Sequence, residues 1–174
     1  MKTDIDLQHT HQQDAANMLY DNSIAGLFIS FAASLVMVFS FDNQSTIMFK
    51  FGWLATISIL IFVRLLDVIW WKENVKNTNF DGLKAINRYS LGTVFTALLW
   101  CAYSLYVFQH EGVIELASNI IIICGMAGGG ATVLAASKKT SVLYSLILLL
   151  PFSIALLLSD VSYQQILGLL GLAY

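Results

Sequence analysis

Long apolar stretches alternate with short polar segments along this chain. Each stretch has about 20 residues with few charges, the length a helix needs to cross about 30 Å of hydrocarbon. The stretches lack the period-two alternation of membrane barrel strands, and lipid offers no hydrogen-bond partner to a free backbone. The pattern therefore predicts an all-α fold, a polytopic transmembrane helical bundle.

Five full spans and the start of a sixth follow from this pattern. A polar N-terminal tail over residues 1–20 precedes a transmembrane region over 21–174. The predicted spans cover residues 22–41, 47–71, 89–108, 113–137, 141–158 and, in part, 163–174. The last segment reaches only about 18 Å as a helix, too short to cross. We expect the native protein to continue beyond Tyr174 into a complete sixth span and an output domain, which these residues lack.

Positive charges predict the orientation of the bundle. The basic residues of the loops after the second and fourth spans are Lys72, Lys76, Lys84, Arg88, Lys138 and Lys139. Because cytoplasmic loops collect lysine and arginine, both loops and the N-terminus are expected in the cytoplasm. Lys50 lies just inside the second span on the other side, from where it can snorkel outward.

The composition agrees with a membrane protein. Hydrophobic residues make up 57% of the chain, charged residues 11%, and the mean hydropathy is +0.72, against about 45–50% and about 25% in soluble domains. The net charge of −2 is too weak to indicate a nucleic-acid partner. The polar N-terminus lacks the features of a signal peptide.

The sequence carries no recognisable catalytic constellation. It has no glycine-rich phosphate loop, HExxH motif or CxxC pair, so we expect no enzymatic activity within this chain. His9 and His11 could chelate a metal only weakly, and His110 lies in an outer loop. We therefore expect no metal site and no cofactor.

Charged residues in the second span are the first candidates for a functional site. Arg64 and Asp67 lie three residues apart on one helical face, about two turns before the cytoplasmic interface. They could neutralise each other as a structural pair, or anchor a head group, an anionic ligand or a signal-relaying contact. Asp21 and Asn22, at a similar depth in the first span, could join them.

Small residues and a proline mark possible flexible points. The fourth span contains Gly125, Gly128, Gly129 and Gly130, which favour close helix packing or dimer contact, or alternatively a hinge or ligand-facing groove. Pro151 should kink the fifth span.

Aromatic residues and a lone amide complete the candidates. Trp53 and Trp100 belong to an aromatic set in the second and third spans, which can be core or a ligand cage. Asn119 is an amide inside the fourth span that could bond to a neighbouring helix or a small ligand.

Several of these residues, by their type and spacing, resemble those of a known family of membrane modules. The spacing of Trp53 and Arg64, the segment from Thr96 to Trp100, and the glycine-rich and proline-containing helices over 125–152 resemble the membrane-associated sensor (MASE-type) modules of bacteria. Such modules precede diguanylate cyclase (GGDEF), phosphodiesterase (EAL) or histidine kinase domains.

The resemblance implies a dimerising sensor in the bacterial inner membrane, with lipid and a small or lipophilic ligand as partners. By this resemblance Trp53, Arg64, Asp67 and Trp100 are candidates for a pocket or relay. A ligand can drive such a switch only if it binds one helix arrangement better than another.

Two other classes stay open. A small transporter or channel would use the same broken helices and intramembrane charges, but the sequence shows no inverted repeat and no charge near the centre of a predicted span. A structural membrane anchor would need no ligand at all.

Overall fold

The chain folds into six helices in the computed structural model, which describes residues 4–41, 46–75, 80–110 and 112–173. The helices are α1 (Asp4–Phe39), α2 (Ile47–Asn74), α3 (Gly82–His110), α4 (Val113–Val133), α5 (Lys138–Leu157) and α6 (Ser162–Ala173). Lys76, Glu111 and residues 42–45, the middle of a polar segment over 41–46 that predicts a tight turn, lie outside the described residues.

The predicted fold class is confirmed. Over the described ranges the structure is helical without strands, and α1 to α5 are each long and apolar enough to cross a membrane. The protein is thus a multi-pass helical bundle of membrane type.

The helices extend beyond the predicted spans at the polar ends. Helix α1 begins at Asp4, so most of the predicted tail continues the first span as helix, and α3 begins at Gly82 instead of residue 89. Hydropathy marks the part of a helix that lies in lipid, whereas the helix itself continues through polar residues until a turn or breaker ends it.

Helix α3 lies at the centre of the bundle. It contacts α1, α2, α4 and α5, while α6 packs on α5. The side chains of Trp100 and Tyr103 on α3 are both 0% exposed, so the largest aromatic groups fill the space between these helices.

The basic ends of the helices meet at one end of the bundle. Helix α2 ends near Lys72, and the Ser90 hydroxyl near the start of α3 lies 2.6 Å from the Thr140 hydroxyl at the start of α5. Asp81 caps α3, and the backbone N–H of Lys84 donates to its carboxylate and holds its pKa below the usual value. The grouping agrees with the sequence prediction; that this end is cytoplasmic stays a prediction.

Helix α6 docks on α5 through a glycine. A Cβ added at Gly168 would lie 2.6 Å from the backbone nitrogen of Leu157 and 2.7 Å from the carbonyl oxygen of Ser153. Small residues allow such close approach of two helix backbones. The short sixth helix therefore lies against the end of the fifth helix, beyond Pro151.

We expect Gly168→Ala to displace α6 and to lower the free energy of unfolding by about 1–3 kcal/mol, because neither backbone atom can move aside. The measurement is denaturant unfolding in mild detergent. Gly52→Ala is the matched control, since a Cβ there meets no atom within 4 Å. Equal unfolding midpoints for the two variants would refute the close docking.

A candidate ligand cavity inside the bundle

A cavity of about 210 Å³ lies between α1, α2, α3, α4 and α5. For comparison, an apolar cavity of about 150 Å³ holds benzene. The polar side chains that line it include Ser30, Arg64, Tyr89, Thr93, Thr96 and Tyr144. The arrangement provides hydrogen-bonding groups inside an otherwise apolar bundle.

Arg64 is held by two threonines of α3. Its Nη1 donates to the Thr96 hydroxyl and its Nη2 to the Thr93 hydroxyl, each at 2.9 Å. Gly92 eases this approach, because a Cβ there would lie 3.1 Å from Nε of Arg64, a tight contact. The guanidinium also lies 5.4 Å from the ring centroid of Tyr89, so α3 fixes the position of the cation.

Arg64 contacts α3 near the middle of that helix. Thr96 is midway between Gly82 and His110, the ends of α3, and close to the middle of the predicted span 89–108. The guanidinium therefore lies level with the middle of α3, while the depth of Arg64 in the membrane stays a prediction.

Asp67 does not neutralise Arg64. Its carboxylate forms an ion pair with Arg88 of α3 and accepts a 3.1 Å hydrogen bond from the Tyr20 hydroxyl. Arg88 in turn lies over the ring of Trp70, 4.6 Å from its centroid. The structural pair along α2, one of the two alternatives, does not form, because the carboxylate pairs with Arg88 on the neighbouring helix.

Arg64 has no acidic partner within the described ranges. The ion pairs there join Lys50 to Glu115, Lys72 to Asp21, Lys84 to Asp81 and Arg88 to Asp67. A cation inside the bundle is costly when no anion compensates it. The cavity thus contains an uncompensated positive charge.

The cavity opens at the surface of the bundle between α1 and α4, and we expect this surface to face the lipid. Exposed residues of its lining are Ile29 on α1 and Gly125, Gly129 and Thr132 on α4. A Cβ at Gly125 or Gly129 would meet no atom within 4 Å. These glycines therefore keep the mouth open instead of packing against another helix of this chain.

The other flexible-point candidates have different surroundings. Gly130 also lines the cavity and packs against Tyr144, since its Cβ would lie 2.5 Å from the ring. Gly128 is half-buried and does not line the cavity, and Pro151 lies within the continuous helix α5. A hinge at these residues stays a prediction.

The tryptophan candidates are core residues beside the cavity. Trp53 and Trp100 make an edge-to-face pair with centroids 5.0 Å apart. Trp53 donates its indole N–H to the carbonyl oxygen of Leu99, and Trp100 donates to the Ser30 hydroxyl. Neither tryptophan lines the cavity. Trp100 is connected to it only by its hydrogen bond to Ser30, which does line the cavity.

The remaining candidates lie apart from the cavity. Asn119 is 0% exposed and accepts a 3.4 Å hydrogen bond from the Ser104 hydroxyl, while its Nδ2 has no partner among the described residues. Asp21 lies 3.8 Å from Lys72, and Asn22 is exposed. The structure therefore does not join Asp21 and Asn22 to Arg64.

A second polar cluster was missed in the sequence. Lys50 is 1% exposed and lies 3.0 Å from Glu115, which also accepts a hydrogen bond from the Tyr103 hydroxyl. Lys50 does not snorkel outward, because a carboxylate lies within reach inside the bundle. Opposite charges at the starts of the second and fourth spans were the signal that could have revealed it.

Comparison with known proteins does not identify this chain: no family model, curated protein or solved structure matches it. The resemblance to membrane-associated sensor modules stays a prediction from the residues quoted above. The cavity is the feature from which a function can be argued.

Proposed function

We propose that this chain is a membrane-embedded sensory input domain that takes up a small, membrane-soluble signal and transmits it to a cytoplasmic output domain. The observation that carries the proposal is the cavity between five helices, with Arg64 inside and a mouth between α1 and α4. The output would be cyclic-di-GMP turnover or histidine kinase activity, as the resemblance implies. We place the domain, as a homodimer, in the bacterial inner membrane.

The contacts around the cavity offer a route for a signal. The ligand would contact α4 at Gly129 and Gly130, and Gly130 packs against Tyr144 of α5. Helix α5 in turn carries α6. Because packed helices have discrete arrangements, a ligand that prefers one position of α4 would shift α5 and α6 together.

A substitution at the cavity mouth tests the proposal. We expect Gly129→Leu, whose Cβ meets no atom within 4 Å, to narrow the mouth and to change the output of the intact native protein at least severalfold. The measurements are cellular cyclic-di-GMP and autophosphorylation, after the reading frame beyond Tyr174 has been determined. Gly52→Leu is the matched control, because this glycine of α2 is equally open but lies away from the cavity.

Two results would contradict the sensor proposal. One is a native reading frame that stops after Tyr174, and the other is an unchanged output in Gly129→Leu. A transporter is the alternative, because Arg64 and the Lys50–Glu115 pair lie inside the bundle and intramembrane charges often mark substrate paths. Flux through proteoliposomes that Gly129→Leu blocks and Gly52→Leu preserves would favour it.

A further inference from the structure

We infer that the cavity binds a small carboxylate, with the acid group at Arg64 and the apolar part toward the lipid-facing mouth. The inference rests on the proposed function insofar as the cavity takes a ligand at all. It goes further by naming the chemical class of that ligand.

The charge of the site calls for an anion. Within the described ranges, Arg64 is bonded to neutral hydroxyls and to no carboxylate. Its nearest acidic neighbour on α2, Asp67, is occupied by Arg88. An anionic ligand would compensate the buried cation, whereas a neutral ligand would leave it unpaired.

The hydrogen-bonding groups fit a carboxylate. A guanidinium has five N–H groups, and the two threonines take two of those of Arg64. The threonine hydroxyls donate to carbonyl oxygens of their own helix, at Tyr89 and Gly92. A side-chain hydrogen bond also links Arg64 to Tyr89. The N–H groups that these contacts leave unused are available to a ligand, and a planar carboxylate accepts from such a fork with two oxygens.

The size and lining of the cavity limit the size and polarity of the rest of the ligand. About 210 Å³ accommodates a ring or a short chain. Met126, Val133 and Leu134 contribute apolar walls, and Ile29 lies at the mouth. A longer acyl chain could extend through that mouth into the lipid. The site thus fits an aromatic acid or a fatty acid, which share the carboxylate.

Titration of the full 174-residue chain in lipid nanodiscs tests the inference. The probes are sodium benzoate and sodium octanoate, with benzyl alcohol and 1-octanol as neutral counterparts, and binding is followed by calorimetry. We expect at least one acid to bind, and its alcohol to bind about ten- to a hundredfold more weakly, because a charged hydrogen bond is lost. Benzoate preference indicates an aromatic acid; affinity that rises from hexanoate to decanoate indicates a fatty acid.

Variants separate a binding role from a structural one. Arg64→Gln should weaken the acid about ten- to a hundredfold, while Lys84→Gln, which removes an exposed cation away from the cavity, should leave the affinity unchanged. Without probe, Arg64→Met should unfold at the wild-type temperature or above it, because both threonine hydroxyls keep their backbone partners. A purely structural arginine would instead make Arg64→Met less stable.

Three results would overturn the inference: equal binding of acid and alcohol, an Arg64→Gln affinity equal to wild type, or no binding of either acid. None of these results touches the sensor proposal, which depends on the response of the output to Gly129→Leu. Conversely, acid binding with an unchanged output would keep the site and refute the sensor.

Discussion

Glu115→Gln is expected to lower the free energy of unfolding by about 3–5 kcal/mol, because it removes the Glu115 carboxylate from the buried Lys50 ammonium. Lys50 is 1% exposed and Glu115 is 4% exposed, and their charged atoms lie 3.0 Å apart. Lys50 also donates to the carbonyl oxygen of Phe41, a neutral acceptor that cannot replace the carboxylate. The measurement is denaturant unfolding of the purified protein in mild detergent.

The double variant Lys50→Met/Glu115→Met provides the decisive comparison. Removing both charges should recover most of the stability lost in Glu115→Gln, since an apolar pair of similar volume needs no compensation. Asp81→Asn, which breaks the exposed Lys84–Asp81 pair, should change stability little. A double variant as unstable as Glu115→Gln would contradict the ion-pair explanation.

Trp100→Ala is expected to lower the free energy of unfolding by about 3–5 kcal/mol, because it empties a fully buried site between α1, α2 and α3. Trp100 is 0% exposed, packs edge-to-face on Trp53 and bonds to Ser30. The same unfolding measurement applies.

Two further variants serve as comparisons: one removes an exposed ring of the same helix, and the other removes only the hydrogen bond and part of the ring of Trp100. Phe95→Ala removes an aromatic ring of the same helix that is 51% exposed and should have little effect. Trp100→Phe keeps a ring but leaves the Ser30 hydroxyl without this donor, so a loss of about 1–3 kcal/mol is expected. Equal effects of Trp100→Ala and Phe95→Ala would show that α3 is not packed as described.

Much of the architecture could be predicted from the sequence. The lengths of the apolar stretches predicted five membrane-crossing helices and a short sixth helix, and the structure contains them. These properties are local, because a helix in lipid satisfies its own backbone and needs only about 20 apolar residues. The alternation of apolar spans and polar loops also predicted that Lys72, Lys84 and Arg88 lie at one end of the bundle.

Candidate residues could be named from the sequence, but their partners could not. Arg64 and Asp67 stood out as charges in an apolar span, yet Arg64 binds threonines of α3 and Asp67 binds Arg88. A spacing of three residues shows that two side chains share a helix face; it does not show which neighbouring helix offers the stronger partner.

The sequence by itself determined that this protein is a bundle of membrane-crossing helices, because hydrophobicity and helix length are properties of each segment alone. Only the tertiary structure decided that Lys50 reaches Glu115 and that Arg64 shares a cavity with Gly125 and Gly129. Such contacts depend on how helices rotate and shift against one another. That arrangement is set by the packing of side chains far apart in the sequence.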